Sequence, residues 1–467
     1  MNPRRLLYAA LLAALCLPPA ALADDDHHHH HADPAMVAAR QKFFGAENVD
    51  SRTGEVSPDK VVFSWTTNAS IAASFLGDVV LLDTYIHRLE LQPEGADTRR
   101  TPINIQDLVD LHPKAIFLGH GHGDHADNAA YIAKWLNIPI YSTPETCAVM
   151  QSDVARMFAD PNTANGGVKI IPNGDPVNCI PIVTASSVPG TEVVHVTALE
   201  PKACIIAFKH IHSGTVPRDP DYVFVPIGGG PADLLNTSDP REPDLYPRGT
   251  CLTPVSSTVA ESTCLASLNA SGDGAALTTP VAGQMNLETN GFGNIPGYSG
   301  GSISMFYDFV LRGHQNFSVV WHNTTGPLKE GVGSDPGLPS PAVGAHLFSI
   351  MDSLPATNVE IGAILSIGYP NNGVRDEVLY QQHIKPQVFF PLHVTDVAAI
   401  SSSLEYKKTY LLFLNANNIP VQPEARWWVD PDDFLRPQVF DPDQARWAIR
   451  GKADVVEQFC GSDQGRH

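Results

Sequence analysis

The sequence predicts an α/β fold whose functional site lies on a loop between a strand and a helix. Residues 114–118 form a short apolar run typical of a buried strand, and residues 128–136 repeat apolar residues at helical spacing. Apolar runs typical of strands and apolar residues at helical spacing also occur in the second half of the chain. Strands are expected at 302–311, 317–321, 361–367 and 387–390, and helices at 341–354, 374–382 and 401–417.

The loop between the first strand and helix concentrates metal-ligating side chains. His120, His122, Asp124 and His125 lie within six positions, and glycines separate them. Imidazole nitrogen and carboxylate oxygen are preferred ligands of Zn²⁺, and glycine lets the backbone turn so that short side chains converge. A solvated, His-rich surface loop is the alternative. The flanking strand and helix favour a metal site, because sites in α/β proteins lie on such loops.

The segment 120–125, His-Gly-His-Gly-Asp-His, resembles the His-x-His-x-Asp-His signature of the metallo-β-lactamase superfamily. Three other segments resemble the family in the same order: 78–83, an early strand ending in aspartate; 205–214, the strand that delivers the third histidine; and 383–393, the last strand and its histidine. The last segment is most similar to the ascorbate-phosphate lactonase and phospholipase D-like branch. The resemblance spans residues 60–400 and implies a four-layer αββα sandwich with a long Gly/Pro-rich insertion.

The resemblance also implies a set of metal ligands. One ion would be held by His120, His122 and His212, and a second by Asp124, His125 and His393. Asn323 stands where the family usually has a bridging aspartate, so it is a candidate metal ligand; the alternative is that neither Asn323 nor its neighbour His322 contacts a metal. A neutral amide stabilises two dications less than a carboxylate, so the sequence leaves one or two ions open, with His322 as an alternative ligand.

The third histidine has two candidates. His210 and His212 lie two positions apart on a predicted strand, so both are expected to point to the same face. His212 is preferred because Ser-Gly follows it, as in the family. His210 is then expected to orient a ligand or to pack against the site.

The function implied by this site is hydrolysis by an exported, metal-dependent enzyme. A zinc-bound hydroxide would attack an ester, lactone, amide or phosphodiester of a small molecule, and Asp124 would accept the proton or orient the hydroxide. Iron or manganese could replace zinc. Two alternatives remain open: a mononuclear iron oxygenase on the same fold, and a non-catalytic metal-binding protein.

Composition and charge restrict the classes of molecule with which the protein is expected to interact. The chain has 467 residues and a formal charge of −20, which repels phosphate backbones and makes nucleic acid an improbable substrate. No segment after the N-terminus has the apolar length needed for a transmembrane helix. The sequence does not indicate an oligomeric state.

The N-terminus has the pattern of a secretory signal, which predicts a secreted or periplasmic protein. Arg4 and Arg5 precede an apolar run, and Ala-Leu-Ala at 21–23 is a small-residue cleavage site. The predicted organisation is a signal peptide at 1–23, a His-rich tail and lead-in at 24–57, the main domain at 58–400 and a closing segment at 401–467. The run His27 to His31 is either a native metal-collecting tail or an engineered tag.

Six cysteines remain after the signal peptide, an even number that suggests disulfides in an exported protein. Cys251 and Cys264 are close enough in sequence to close one loop. Cys147 with Cys179, and Cys204 with Cys460, are the expected remaining pairs, although sequence alone does not establish the connectivity.

Residues 215–300 form a Gly-, Pro- and Ser-rich insertion, which is either a lid over the metal or a surface decoration. Close to its end, residues 297–301 match the Gly-x-Ser-x-Gly pattern of serine hydrolases. That pattern requires a strand before the serine and a helix after it, whereas Pro296 precedes it and a predicted strand follows. Ser299 is therefore not expected to be a nucleophile.

Overall fold

The computed structural model describes residues 32–85, 103, 105–126, 128–159, 171–184, 188–214, 216–225, 303–332, 340–364, 372–393, 400–420, 423–428 and 435–461. The signal sequence, the His27 to His31 run, the expected Cys251–Cys264 pair and Ser299 lie outside these residues. The same is true of most of the 215–300 insertion, so the choice between a lid and a surface decoration stays open.

Two seven-stranded sheets form the centre of the molecule. The first has the order β14-β1-β2-β3-β4-β5-β6 and the second β13-β12-β11-β10-β9-β8-β7. The strands are β1 (Val61–Thr67), β2 (Ser70–Phe75), β3 (Asp78–Leu82), β4 (Ala115–Phe117), β5 (Ile140–Ser142), β6 (Cys179–Pro181), β7 (Val193–Val196), β8 (Ala203–Ile211), β9 (Ile303–Leu311), β10 (Ser318–His322), β11 (Val359–Ala363), β12 (Val388–Leu392), β13 (Glu424–Ala425) and β14 (Gln438–Phe440).

Helices cover the outer faces of both sheets. They are α1 (Pro34–Phe44), α2 (Ile105–Asp110), α3 (Gly123–Ala126), α4 (Ala129–Leu136), α5 (Pro144–Ala159), α6 (Pro341–Ser353), α7 (Arg375–Ile384), α8 (Ile400–Ala416) and α9 (Lys452–Cys460). Phe43 and Phe44 of α1 are fully buried in the main core, so part of the predicted lead-in belongs to the packed fold. No helix among the described residues is both long and apolar enough to span a bilayer.

The two faces of the second sheet pack into two different apolar cores. Along β10, Val319 and Trp321 join the core shared by both sheets, whereas Val320 joins the outer core beneath α6, α7 and α9. This alternation is the strand period of two, with both faces buried. The result is a four-layer αββα sandwich, which confirms the predicted fold class.

The two disulfides among the described residues are the expected ones. Cys147 is bonded to Cys179, and Cys204 is bonded to Cys460, across 256 positions of sequence. The second bond ties β8 to the C-terminal helix α9. Trp428 is buried, with its ring stacked on that of Trp65 at a centroid distance of 5.8 Å.

A buried carboxyl group predicts how stability depends on pH. Asp308 of β9 is fully buried, and burial raises the pKa of its carboxyl group from 3.8 to about 7, partly offset by Lys452. The folded state therefore binds more protons than the unfolded state between these values, and stability falls as pH rises through them. In Asp308→Asn, the urea midpoint should fall less between pH values of about 4.5 and 7 than in the wild type. Equal slopes for both proteins would contradict this assignment.

Candidate metal centre

The predicted ligands follow the carboxyl ends of strands in both sheets. In the first sheet, Asp83 follows β3 and the His-rich loop follows its parallel neighbour β4. In the second sheet, β10, β11 and β12 are parallel, and Asn323 and His393 follow β10 and β12. His212 follows β8, which runs in the same direction as β10 because each is antiparallel to β9. These strand ends place residues from distant segments around one point.

His120, His122 and His212 converge into one buried group, the three-histidine cluster. Their rings lie 4.4 Å (His120 to His122), 4.6 Å (His120 to His212) and 4.8 Å (His122 to His212) apart, measured between centroids. One nitrogen from each ring lies within 4.8 Å of the other two. Three imidazoles at this spacing match the His₃ donor set of zinc enzymes.

Asp83 connects the two sheets behind this cluster. Its Oδ2 accepts hydrogen bonds from His125 Nδ1 and from Asn323 Nδ2, both at 2.8 Å, and its Oδ1 accepts one from the Gly119 amide at 3.1 Å. Asp83 therefore orients His125 and Asn323 through these hydrogen bonds.

The orientation of Asn323 fixes the tautomer of His120. Because the Asn323 amide nitrogen faces Asp83, its Oδ1 faces inward, where it accepts hydrogen bonds from His120 Nδ1 at 3.1 Å and from Ser304 Oγ at 2.9 Å. The proton of His120 must then be on Nδ1, which leaves the Nε2 lone pair for a metal. Hydrogen bonds of this kind hold metal-ligating histidines in place.

His212 is held in the same tautomer by a different acceptor. Its Nδ1 donates to the backbone carbonyl of Ser213 at 2.9 Å. A carbonyl oxygen only accepts, so the proton is on Nδ1 and Nε2 carries the lone pair. Groups outside the cluster thus fix the tautomers of two of its three imidazoles so that Nε2 can bind a metal. The donor set fits a divalent cation such as zinc.

His125 and His393 lie beside the three-histidine cluster. The His125 ring is 4.3 Å from that of His120 and 5.1 Å from that of His393. This arrangement could hold a second ion next to the first. The side chain of Asp124, on α3, lies outside the described residues, so its roles as ligand and catalytic base stay predictions.

Gly119 is required by the close approach of the two sheets. A Cβ atom at this position would lie 2.2 Å from the side chain of Asn323. Real Cβ atoms do not approach other heavy atoms this closely, so any larger residue would displace Asn323. The glycine of the motif therefore makes room for the amide that orients His120.

The predicted common face of His210 and His212 is wrong. β8 ends at Ile211, so His212 lies beyond the last regular residue and turns toward His120 and His122. His210 points to the outer layer, where its Nδ1 lies 3.0 Å from the hydroxyl of Tyr380. His322 also points outward, toward Glu360, so the structure does not bring it to the three-histidine cluster as a substitute for Asn323.

Two residues of this site were given no role from the sequence. Asp83 was noted only as the end of the strand segment 78–83, although its position was a usable signal, because the carboxyl ends of neighbouring parallel strands meet at one edge of a sheet. Ser304, which donates to Asn323, lies near the start of β9 and has no such signal.

Asn323→Ala should weaken metal binding without removing a ligand. The loss of its hydrogen bond to His120 should lower the metal affinity of the three-histidine cluster by about 10- to 100-fold, as for other groups that orient a ligand. The number of ions bound at saturation should not change. Isothermal titration of the metal-free protein measures both quantities. A loss of one bound ion at saturation would instead make Asn323 a direct ligand.

No protein-family model and no curated protein matches this sequence. Among solved structures, the chain is similar to Igni18, a metallo hydrolase from the archaeon Ignicoccus hospitalis, with 10% identity and a TM-score of 0.37. The alignment covers 82% of this chain and 98% of Igni18. It is also similar to CmlA, a diiron β-hydroxylase from Streptomyces venezuelae, with 10% identity and a TM-score of 0.36, over 83% of this chain and 55% of CmlA.

A diphosphatase of the PhnP family is a third similar structure. It shares 10% identity at a TM-score of 0.32, over 80% of this chain and 84% of the diphosphatase. Similarities at this level do not assign an activity to the chain.

Proposed function

We propose that this protein is an exported, metal-dependent hydrolase that acts on an ester, lactone, amide or phosphodiester of a small molecule. The observation that supports it most is the three-histidine cluster, in which His120 and His212 each present an unprotonated Nε2. A zinc ion bound there would polarise the substrate oxygen and lower the pKa of a water molecule toward neutrality.

The side chains around this cluster have distinct proposed tasks. Asp83 fixes Asn323 and His125 through hydrogen bonds, so that the imidazole ligands do not have to reorganise during the reaction. His393 is only partly buried, and its ring centroid lies 5.1 Å from that of His125. We assign to it either ligation of a second ion or donation of a proton to the leaving group.

Export is supported by two independent features of the chain. Its N-terminus has the pattern of a secretory signal. Both described cysteine pairs are oxidised, which is typical of proteins that fold outside the reducing cytosol. Zinc, rather than iron, is favoured by the all-imidazole character of the three-histidine cluster.

The test combines metal analysis with substrate screening. The full chain, with His27 to His31 replaced by serine to remove the tail's own metal binding, is purified and its metals are identified by mass spectrometry. Carboxylic esters, lactones, amides and phosphodiesters are then assayed before and after chelation, and again after zinc is restored. Turnover of one class that follows zinc supports the proposal. Iron-dependent oxygen consumption would support an oxygenase, and bound metal with no turnover would support a binding protein.

A further inference from the structure

A second group of potential metal ligands lies outside the three-histidine cluster. His322 at the end of β10, Glu360 in β11 and Glu377 in α7 offer ligand atoms that all lie within 4.8 Å of one another. All three side chains are 0% exposed. We call this group the His-Glu-Glu cluster. None of its members takes part in the proposed hydrolytic site.

The His-Glu-Glu cluster lies on the opposite face of the second sheet. On β10, Trp321 joins the core between the sheets and its successor His322 points to the outer layer, where its ring stacks on Phe306 at 5.6 Å between centroids. On β11, Val359 and Ile361 face the inner core, so Glu360 between them points outward. The cluster is therefore enclosed between the sheet and α7, and β10 separates it from Asn323 and the three-histidine cluster.

The hydrogen bonds of His322 leave a lone pair that faces two carboxylates. Its Nδ1 donates to the backbone carbonyl of Thr324 at 3.1 Å, so that nitrogen carries a proton. The other nitrogen, Nε2, lies 3.0 Å from Glu360 Oε1 and 3.9 Å from Glu377 Oε2. In the neutral imidazole this places a lone pair against carboxylate oxygens, which is unfavourable unless a positive species lies between them.

Among the described residues, no lysine or arginine side chain forms an ion pair with either glutamate of the cluster. Arg375, on the same helix, donates instead to Asp219, Glu330 and Asp376. Neither Glu360 Oε2 nor Glu377 Oε2 accepts a hydrogen bond from a donor among the described residues. Burial raises the pKa of both glutamates, and their mutual repulsion raises that of Glu377 further. Two buried carboxylates at this distance require a cation or a proton.

We propose that His322, Glu360 and Glu377 bind a structural divalent cation, with zinc as the best match. Two carboxylates and one dication leave the site neutral, and imidazole with carboxylate is a common donor set for zinc. Ligand atoms of a tetrahedral zinc site, with bonds of about 2.1 Å, lie about 3.4 Å apart. The two distances from His322 Nε2, 3.0 and 3.9 Å, bracket that value. The ion would join β10, β11 and α7.

A glycine keeps the space for this ion open. Gly362 pairs with His322 across the parallel strands β10 and β11. A Cβ atom on Gly362 would lie 2.5 Å from His322 Nε2 and 3.2 Å from Glu360 Oε1. Alanine at this position would therefore fill the volume between two of the proposed ligands.

Metal counting in a background without the first site tests the proposal. The full chain carries His120→Ala, His122→Ala, His125→Ala and His393→Ala to remove the three-histidine cluster and the neighbouring histidines that could hold a second ion, with His27 to His31 replaced by serine. After zinc loading and desalting, this background should retain one zinc ion per chain. Glu377→Gln in the same background should retain none, whereas the matched control Glu330→Gln, which changes a nearby glutamate outside the cluster, should retain one.

Three results would overturn the proposal. If the background binds no zinc, or if Glu377→Gln retains as much zinc as Glu330→Gln, the two glutamates share a proton and hold no ion. If Glu377→Gln does not fold, the wild-type protein provides a second measurement. Crystals of zinc-loaded protein, measured at the zinc absorption edge, should give an anomalous peak between His322 Nε2 and Glu360 Oε1. A peak at the three-histidine cluster alone would reject the second site without affecting the proposed hydrolase.

Discussion

Replacing His120 with alanine is expected to empty the three-histidine cluster and to lower metal-dependent hydrolysis by more than about 100-fold, because loss of a ligand exceeds the 10- to 100-fold effect of losing a group that orients one. His120 is fully buried, and its ring lies within 4.6 Å of those of His122 and His212 between centroids. Metal content and turnover of the same preparation provide the measurement.

His383→Ala is the matched control for this variant. His383 is partly exposed at the end of α7 and is paired with Asp352 at 2.9 Å, so its loss should leave metal content and turnover unchanged. If His120→Ala retains full turnover, the three-histidine cluster is not the catalytic centre. That result would not affect the proposed metal site at the His-Glu-Glu cluster, because the test of that site counts bound metal and does not measure activity.

Removal of the Cys204–Cys460 disulfide is expected to have the largest effect on stability. The bond closes a loop of 256 positions, compared with 32 for Cys147–Cys179. A crosslink restricts the unfolded chain more when its loop is longer, so Cys204→Ala with Cys460→Ala should lower the free energy of unfolding by about 3–5 kcal/mol. Replacing Cys147 and Cys179 in the same way should cost about 2 kcal/mol less.

Urea unfolding of both double variants under non-reducing conditions measures this difference. The shared control is the wild-type protein after reduction, which loses both bonds and should be less stable than either variant. Equal losses from the two pairs would show that loop length does not govern their contributions. In that case the packing of Cys204 and Cys460 in the outer core would have to account for the effect of the longer bond.

The sequence by itself predicted several of the strands and helices and part of the candidate metal site. These features depend on short-range patterns. Apolar runs and helical spacing predicted β4 and α4, and the motif at 120–125 placed two histidines of the three-histidine cluster on one loop. The resemblance to a known family supplied His212 and the four-layer sandwich. Cysteine number and position led to both disulfides found among the described residues.

Only the tertiary structure decided which polar groups meet behind the ligands. Asn323 donates to Asp83 across 240 positions and accepts from His120 across 203, contacts that depend on the packing of one sheet on the other. The same packing separated His210 from His212, because β8 ends between them. It also enclosed His322 with Glu360 and Glu377. No local pattern encodes such contacts, because they arise where strand ends and a helix far apart in sequence are brought to one point.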